Sequence, residues 1–264
     1  MTALDKLNRR IDAVGSLLCV GLDADIDRVP AAFSNRDAPQ YAFNRWLIDE
    51  THPYVCAYKP NIAFYEARGA DGWRELADTM AYLRERHPDV FTICDAKRAD
   101  IGNTNRGYVR AVFDELGFDA ITLHPYLGGG ALAPFLERDD KVSVILCRTS
   151  NPGAPELQAL MVAGRPLWEQ VAVRVRDEWN ANGNCMLVVG ATSPDDLGRA
   201  REIAPEIPFL VPGVGAQGGD PAAVVAAGAD ANGRGLVVNA ARSVIFADNP
   251  AGAAAFLRAA LRVS

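Results

Sequence analysis

A rhythm limits what this chain can fold into. Short apolar runs, rich in Val, Ile, Leu and Cys, alternate with longer stretches in which apolar residues recur every three or four positions. The short runs span 17–23, 55–60, 90–94, 120–126, 142–150, 185–190, 208–213 and 236–240. They are near-continuous apolar runs rather than alternating ones, the signature of parallel strands covered on both faces. Between them, helices are predicted over 38–52, 71–86, 103–116, 130–137 and 166–181, with another over 2–14 before the first strand and one over 250–262 at the end. Ser193-Pro194-Asp195-Asp196 reads as a helix start, with a serine cap, a first-turn proline and acids at the positive end of the helix dipole. Eight such units predict an α/β fold, a closed (β/α)8 TIM barrel in preference to an open doubly wound sheet. No linker or low-complexity tract divides the 264 residues. Barrels of that size commonly form one unit, so residues 1–264 read as a single domain.

Composition narrows the function classes. The net charge of −6 argues against a nucleic-acid surface, which needs clustered Lys and Arg. No apolar run is long enough to cross a bilayer, and the first residues lack a signal-peptide core. The five cysteines, Cys19, Cys56, Cys94, Cys147 and Cys185, each fall inside a predicted strand, far apart in sequence. They read as buried reduced thiols in a cytoplasmic protein, without a zinc site.

Chemistry concentrates at the strand ends, where barrels of this type place their active sites. The first strand ends in Asp23, the second in Lys59 and the fifth in Thr149-Ser150. The third runs into Asp95-Ala96-Lys97-Arg98-Ala99-Asp100-Ile101-Gly102-Asn103-Thr104. Strand alternation puts Asp95 and Lys97 on one face, beside Ile93. Asp100 falls past the strand end, in a turn that can fold back or reach a neighbour. A salt-bridged strand end would account for this stretch alone. Charges converging on one rim of an apolar barrel are costly unless paired, and their convergence from neighbouring strands reads as a site.

The last two strands supply a different element. After the seventh comes Gly213-Val214-Gly215-Ala216-Gln217-Gly218-Gly219-Asp220-Pro221, a glycine-rich loop leading into a helix start. After the eighth comes Asn239-Ala240-Ala241-Arg242. Glycines let backbone N–H groups approach an anion, and an arginine grips phosphate with two parallel hydrogen bonds. Loops after strands seven and eight are the usual phosphate site of this fold. His124 reads as a hydrogen-bonded strand-end histidine, and His52 and His87, each before a proline, as helix-end residues.

Taken together, these segments resemble the orotidine 5′-phosphate decarboxylase family, in the bacterial subgroup that carries Arg148-Thr149-Ser150-Asn151-Pro152-Gly153. The resemblance also rests on Val20-Gly21-Leu22-Asp23, Tyr58-Lys59-Pro60-Asn61, the Asp-x-Lys-x-x-Asp-Ile-x-x-Thr pattern of residues 95–104, and the segments around Gly213 and Arg242. It implies cofactor-independent, metal-free decarboxylation of orotidine 5′-phosphate to uridine 5′-phosphate, the last step of UMP biosynthesis. By the same resemblance Lys97 would protonate C6, flanked by Asp95 and Lys59. Asp23 would bind a ribose hydroxyl, Ser150 the base, and Gln217 with Arg242 the phosphate, the Gln217 loop closing as a lid. Asp100, Ile101 and Thr104 would enter the site of a second subunit, which implies a homodimer with shared active sites. Two alternatives remain: a magnesium-dependent ketose-phosphate synthase or decarboxylase of the same suprafamily, and a non-catalytic sensor of phosphate ligands.

Overall fold

The computed structural model describes residues 1–215 and 218–262. Its centre is a closed barrel of parallel strands: β1 (Leu18–Gly21), β2 (Ala57–Lys59), β3 (Phe91–Arg98), β4 (Ala120–Leu123), β5 (Val142–Arg148), β6 (Cys185–Val189), β7 (Phe209–Pro212) and β8 (Leu236–Ala240). Each strand pairs with its neighbours in chain order, and β1 closes the ring onto β8 through Leu18↔Val238 and Cys19↔Asn239. The eight apolar runs of the sequence are these eight strands. Both faces of each are covered, by the barrel interior and by the surrounding helices, so one contiguous apolar core extends through the barrel and its outer layer.

Helix Ala3–Val14 caps the N-terminal end of the barrel. Thr2 and Asp5 form a reciprocal capping box at its start, and Gly15 ends it in the left-handed region at φ 57°. Ala3, Leu7 and Ile11 fall on its buried face. Arg10, buried with them, donates to the carbonyls of Val55 and His52 and pairs with Asp89, while Lys6 pairs with Asp119 at 2.7 Å. These partners all precede β2, β3 or β4, so the helix ties the strand starts together. The C-terminal ends are left open for the site.

The predicted helices are present with small boundary shifts, such as Pro39–Thr51 and Gly69–Arg86. Two of them, Gly102–Val109 and Leu167–Arg174, change pitch into wider π turns over Arg110–Glu115 and Val175–Trp179. The Pro- and Gly-rich stretch after β5 is more ordered than its composition suggests. It contains a one-turn helix, Pro155–Gln158, and a small antiparallel hairpin pairing Met161–Val162 with Arg165–Pro166. The five cysteines are free and buried. Burial pushes the thiols of Cys56, Cys147 and Cys185 up to about 12.

Candidate active site

A cavity of about 460 Å3 opens at the C-terminal ends of the strands. Its polar wall carries Asp23, Lys59, Asp95, Lys97 and Thr122, from the turn after β1 and from β2–β4. Opposite lie Leu146, Val188 and Leu210 of β5–β7, and the rim holds Thr149, Ser150, Asn151, Gly213, Val214 and Arg242.

Asp95 is the hub. Its Oδ2 accepts from Lys59 Nζ at 2.7 Å and its Oδ1 from Lys97 Nζ at 2.6 Å. Thr122 Oγ1 also donates to Oδ1, at 2.9 Å. Lys59 reaches on to Asp23 at 3.9 Å, and Asp23 Oδ1 accepts the Asn61 backbone N–H at 2.9 Å. The result is an alternating line Asp23–Lys59–Asp95–Lys97. Burial alone would raise the Asp95 carboxyl, but the two ammonium groups outweigh it and hold it well below the usual carboxylate range. Burial would likewise depress Lys59, yet Asp23 and Asp95 push it above the ordinary lysine value. Asp23 is raised, because its burial outweighs the attraction of Lys59, which Asp95 partly cancels.

Simple alternation does not account for the meeting of Asp95 with Lys97. Cys94 pairs with Ile121 and Arg98 with Leu123, so β3 uses four residues where β4 uses two. Lys97 sits at φ 47°, in the left-handed region that non-glycine residues rarely occupy. Thr122 holds this bulge: its Oγ1 accepts the backbone N–H groups of Ala96 and Lys97 at 3.0 and 2.9 Å. Bulges next to active sites re-aim side chains, and this one turns the Lys97 ammonium back onto Asp95 at the cavity mouth. Beneath the site, Gly21 is required by close approach. A Cβ there would lie 2.7 Å from that of Ala241 and 2.9 Å from Asp23 Oδ2.

Six residues read from the sequence line this one cavity: Asp23, Lys59, Asp95, Lys97, Ser150 and Arg242. Asp100, Ile101 and Thr104 are not in its lining; Ile101 is 64% exposed. Their loop is tied in place nonetheless. Asn105, fully buried, accepts the Asp100 N–H at 2.8 Å and donates to the carbonyls of Asp100 and Ala131. Gln217 lies outside the described residues. The helix start after the glycine loop stands apart from the cavity too. Asp220 caps its own helix, Pro221–Gly228, by accepting the Ala222 N–H.

The sequence model of the orotidine 5′-phosphate decarboxylase / HUMPS family matches residues 16–256. The chain belongs to this family. A Halorubrum lacusprofundi protein named orotidine 5′-phosphate decarboxylase is 52% identical over 252 residues, covering 94% of this chain and 88% of its own. One of the same name from Cellvibrio japonicus is 45% identical over 94% of this chain and 91% of its own. Among solved structures, the OMP decarboxylase of Leishmania donovani matches with a TM-score of 0.89 at 41% identity, over 99% of this chain and 97% of that one. The UMP synthase of the same organism matches with a TM-score of 0.91 at 42% identity, over 99% of this chain but 56% of that one.

In this member of the orotidine 5′-phosphate decarboxylase family, Thr122 and Asn105 escape a reading of motifs, and Asn239, which opens the Asn239-Ala240-Ala241-Arg242 segment, takes no role from it. Thr122 and Asn105 act on backbone groups that only the fold brings near. Asn239, on β8, lines the cavity while 8% exposed, and its Oδ1 has no hydrogen-bond partner among the described residues. A polar residue inside an otherwise apolar strand was the available signal for Asn239.

Proposed function

We propose that this chain decarboxylates orotidine 5′-phosphate to uridine 5′-phosphate and CO2 without a cofactor, as the last step of UMP biosynthesis. One observation carries the reading. Two lysines share the Asp95 carboxylate, but the Lys97 side chain is 51% exposed at the cavity and that of Lys59 only 4%. Lys97 can therefore reach a reacting atom while Lys59 charges and orients the carboxylate between them.

Breaking the bond from C6 to the carboxylate leaves an electron pair in the ring plane, where no π system accepts it. A fixed ammonium aimed at C6 lowers that barrier without reorganising. Lys97 Nζ then gives C6 a proton, the new C–H bond takes up the electron pair, and solvent reprotonates the amine. Asp95 accepts one hydrogen bond from Lys97 and so fixes the direction of the ammonium. The electron pair is protonated directly, so no step calls for a metal or an organic cofactor.

Asp23 and Lys59 are assigned to the ribose hydroxyls, Ser150 to the base, and Gln217 and Arg242 to the phosphate. Gripping the phosphate, remote from C6, supplies binding energy for closing the Gln217 loop as a lid and for orientation. Residues 1–264 are read as one domain working in the cytoplasm. Among the described residues no helix is long and apolar enough to cross a membrane.

Asp100, Ile101 and Thr104 are assigned to the site of a partner subunit in a homodimer. They follow the Lys97 bulge directly, yet they do not line this chain's own cavity. Mixing Lys97→Ala with Asp100→Ala protein should restore part of the activity, since one hybrid site regains both residues. No recovery despite demonstrated subunit exchange would count against shared sites.

The deciding assay follows orotidine 5′-phosphate by absorbance in the presence of chelator. Loss of the orotate band with formation of uridine 5′-phosphate is expected. No turnover, together with magnesium-dependent activity on a ketose phosphate, would overturn the assignment; no turnover on either, with tight nucleotide binding, would favour a sensor.

A further inference from the structure

Strand β5 ends at Arg148, and the next three residues, Thr149, Ser150 and Asn151, line the cavity in no regular structure. A segment rich in Pro and Gly at that place would ordinarily sample many conformations. Three separate features hold it. Gln158, in the one-turn helix that follows, uses both ends of its side-chain amide on Thr149. Its Oε1 accepts the Thr149 backbone N–H at 2.9 Å, and its Nε2 donates to Thr149 Oγ1 at 2.8 Å. The hydroxyl in turn donates to Asn151 Oδ1 at 2.6 Å. From the other side, Gly190 at the end of β6 leaves no room behind Ser150. A Cβ on Gly190 would lie 2.8 Å from Ser150 Cβ and 3.0 Å from its backbone nitrogen. Arg148 anchors the start of the segment, donating to Asp196 at 2.8 Å and to the Thr149 carbonyl at 3.2 Å.

We propose that Gln158 is a positioning residue for pyrimidine recognition, its amide clasping Thr149 so that Ser150 and Asn151 are set at the cavity wall before substrate arrives. Gln158 does not line the cavity itself, so it acts through Thr149. The inference rests on the assignment of Ser150 to the base. Its physical basis is preorganisation: a loop ordered in advance does not lose that freedom on binding. The chemistry of the clasp is directional. The amide supplies one acceptor and one donor, and the single hydroxyl proton of Thr149 is left for Asn151. A carboxylate of the same shape only accepts, so in a Gln158→Glu variant the new side chain and Asn151 would compete for that proton.

The test compares two ligands, uridine 5′-phosphate and ribose 5-phosphate, which lacks the base. Gln158→Ala and the isosteric Gln158→Glu should each weaken uridine 5′-phosphate about tenfold by calorimetry and leave ribose 5-phosphate within about twofold. Thr149→Val should do the same, and Thr149→Ser, which keeps the hydroxyl, should restore the wild-type ratio of affinities. A merely structural role would lower both affinities together. Should Gln158→Ala not fold, the glutamate variant carries the test. Equal weakening of both ligands, or of neither, in an enzyme whose wild type decarboxylates orotidine 5′-phosphate overturns the clasp alone. A wild type inactive on that substrate overturns the functional assignment beneath it.

Discussion

The two halves of the cavity are built on opposite principles. From the turn after β1 and from β2–β4 come two lysines and two aspartates in alternating order with one threonine; from β5–β7 come Leu146, Val188 and Leu210. The charged half neutralises itself, because every ammonium in it faces a carboxylate. The apolar half contributes no charge but keeps the local dielectric low, which strengthens the field of the ammonium groups opposite. Neither half would suffice. A fully polar cavity would screen Lys97 with water, and a fully apolar one could not hold it charged.

Removing the outermost charge should break the chemistry and spare the cavity. Lys97→Ala should lower kcat/KM by about 10,000-fold or more, while calorimetry still detects uridine 5′-phosphate. Retained activity would remove Lys97 as the proton donor.

Removing the inner charge should break the fold instead. Lys59→Met leaves Asp23 without its ammonium and Asp95 with one ammonium instead of two, so the protein should lose about 3–5 kcal/mol at pH 7 by denaturant titration. The sign with pH follows from the shifts. In the wild type, depressed Asp95 adds stability above its unfolded value of about 3.9, lost as pH falls through the lower folded value. Asp23, raised, works against folding once it ionises. In the variant both carboxylates are harder to ionise, so the penalty should shrink as pH is lowered from 7 to about 4.5, towards the unfolded carboxylate value. A penalty independent of pH would mean that Lys59 stabilises by packing rather than by charge.

Arg242 belongs to neither half; it stands on the rim, at the start of a one-turn helix after β8. Arg242→Ala should weaken uridine 5′-phosphate about 100-fold and uridine little. Equal weakening of both would remove Arg242 from the phosphate site.

Asn239 is the exception on the strands that close the barrel beyond the apolar wall. A buried amide oxygen without a partner is costly, and an apolar side chain of similar shape relieves that cost. Asn239→Leu should therefore leave stability unchanged or raise it by about 1 kcal/mol in thermal unfolding, while lowering kcat/KM. Lost stability would show that the amide supports the fold rather than the ligand.

The barrel was legible because strands covered on both faces read as near-continuous apolar runs, and local sequence records that directly. Asp23, Lys59 and Asp95 were legible because charges at the ends of such strands have one rim to occupy. Lys97 was legible as a residue, but the alternation invoked to place it was not the mechanism. The register shift and the left-handed Lys97 are decided by Thr122, on another strand, and no pattern within residues 91–98 encodes it. The same holds for Gln158, in a stretch whose prolines and glycines signal only a loop. The clasp it makes depends on where the end of β5 lies in space.

By itself, then, the sequence determined the periodic elements, the order of the strands and the types of residue brought to their ends, since these follow from burial and local conformational preference. Only the tertiary structure decided which lysine faces solvent and which is buried, which backbone groups Thr122, Asn105 and Gln158 satisfy, and which polar atom of Asn239 has no partner among the described residues. Those outcomes depend on hydrogen bonds between residues far apart in the chain, and their partners exist only once the ring of strands has closed.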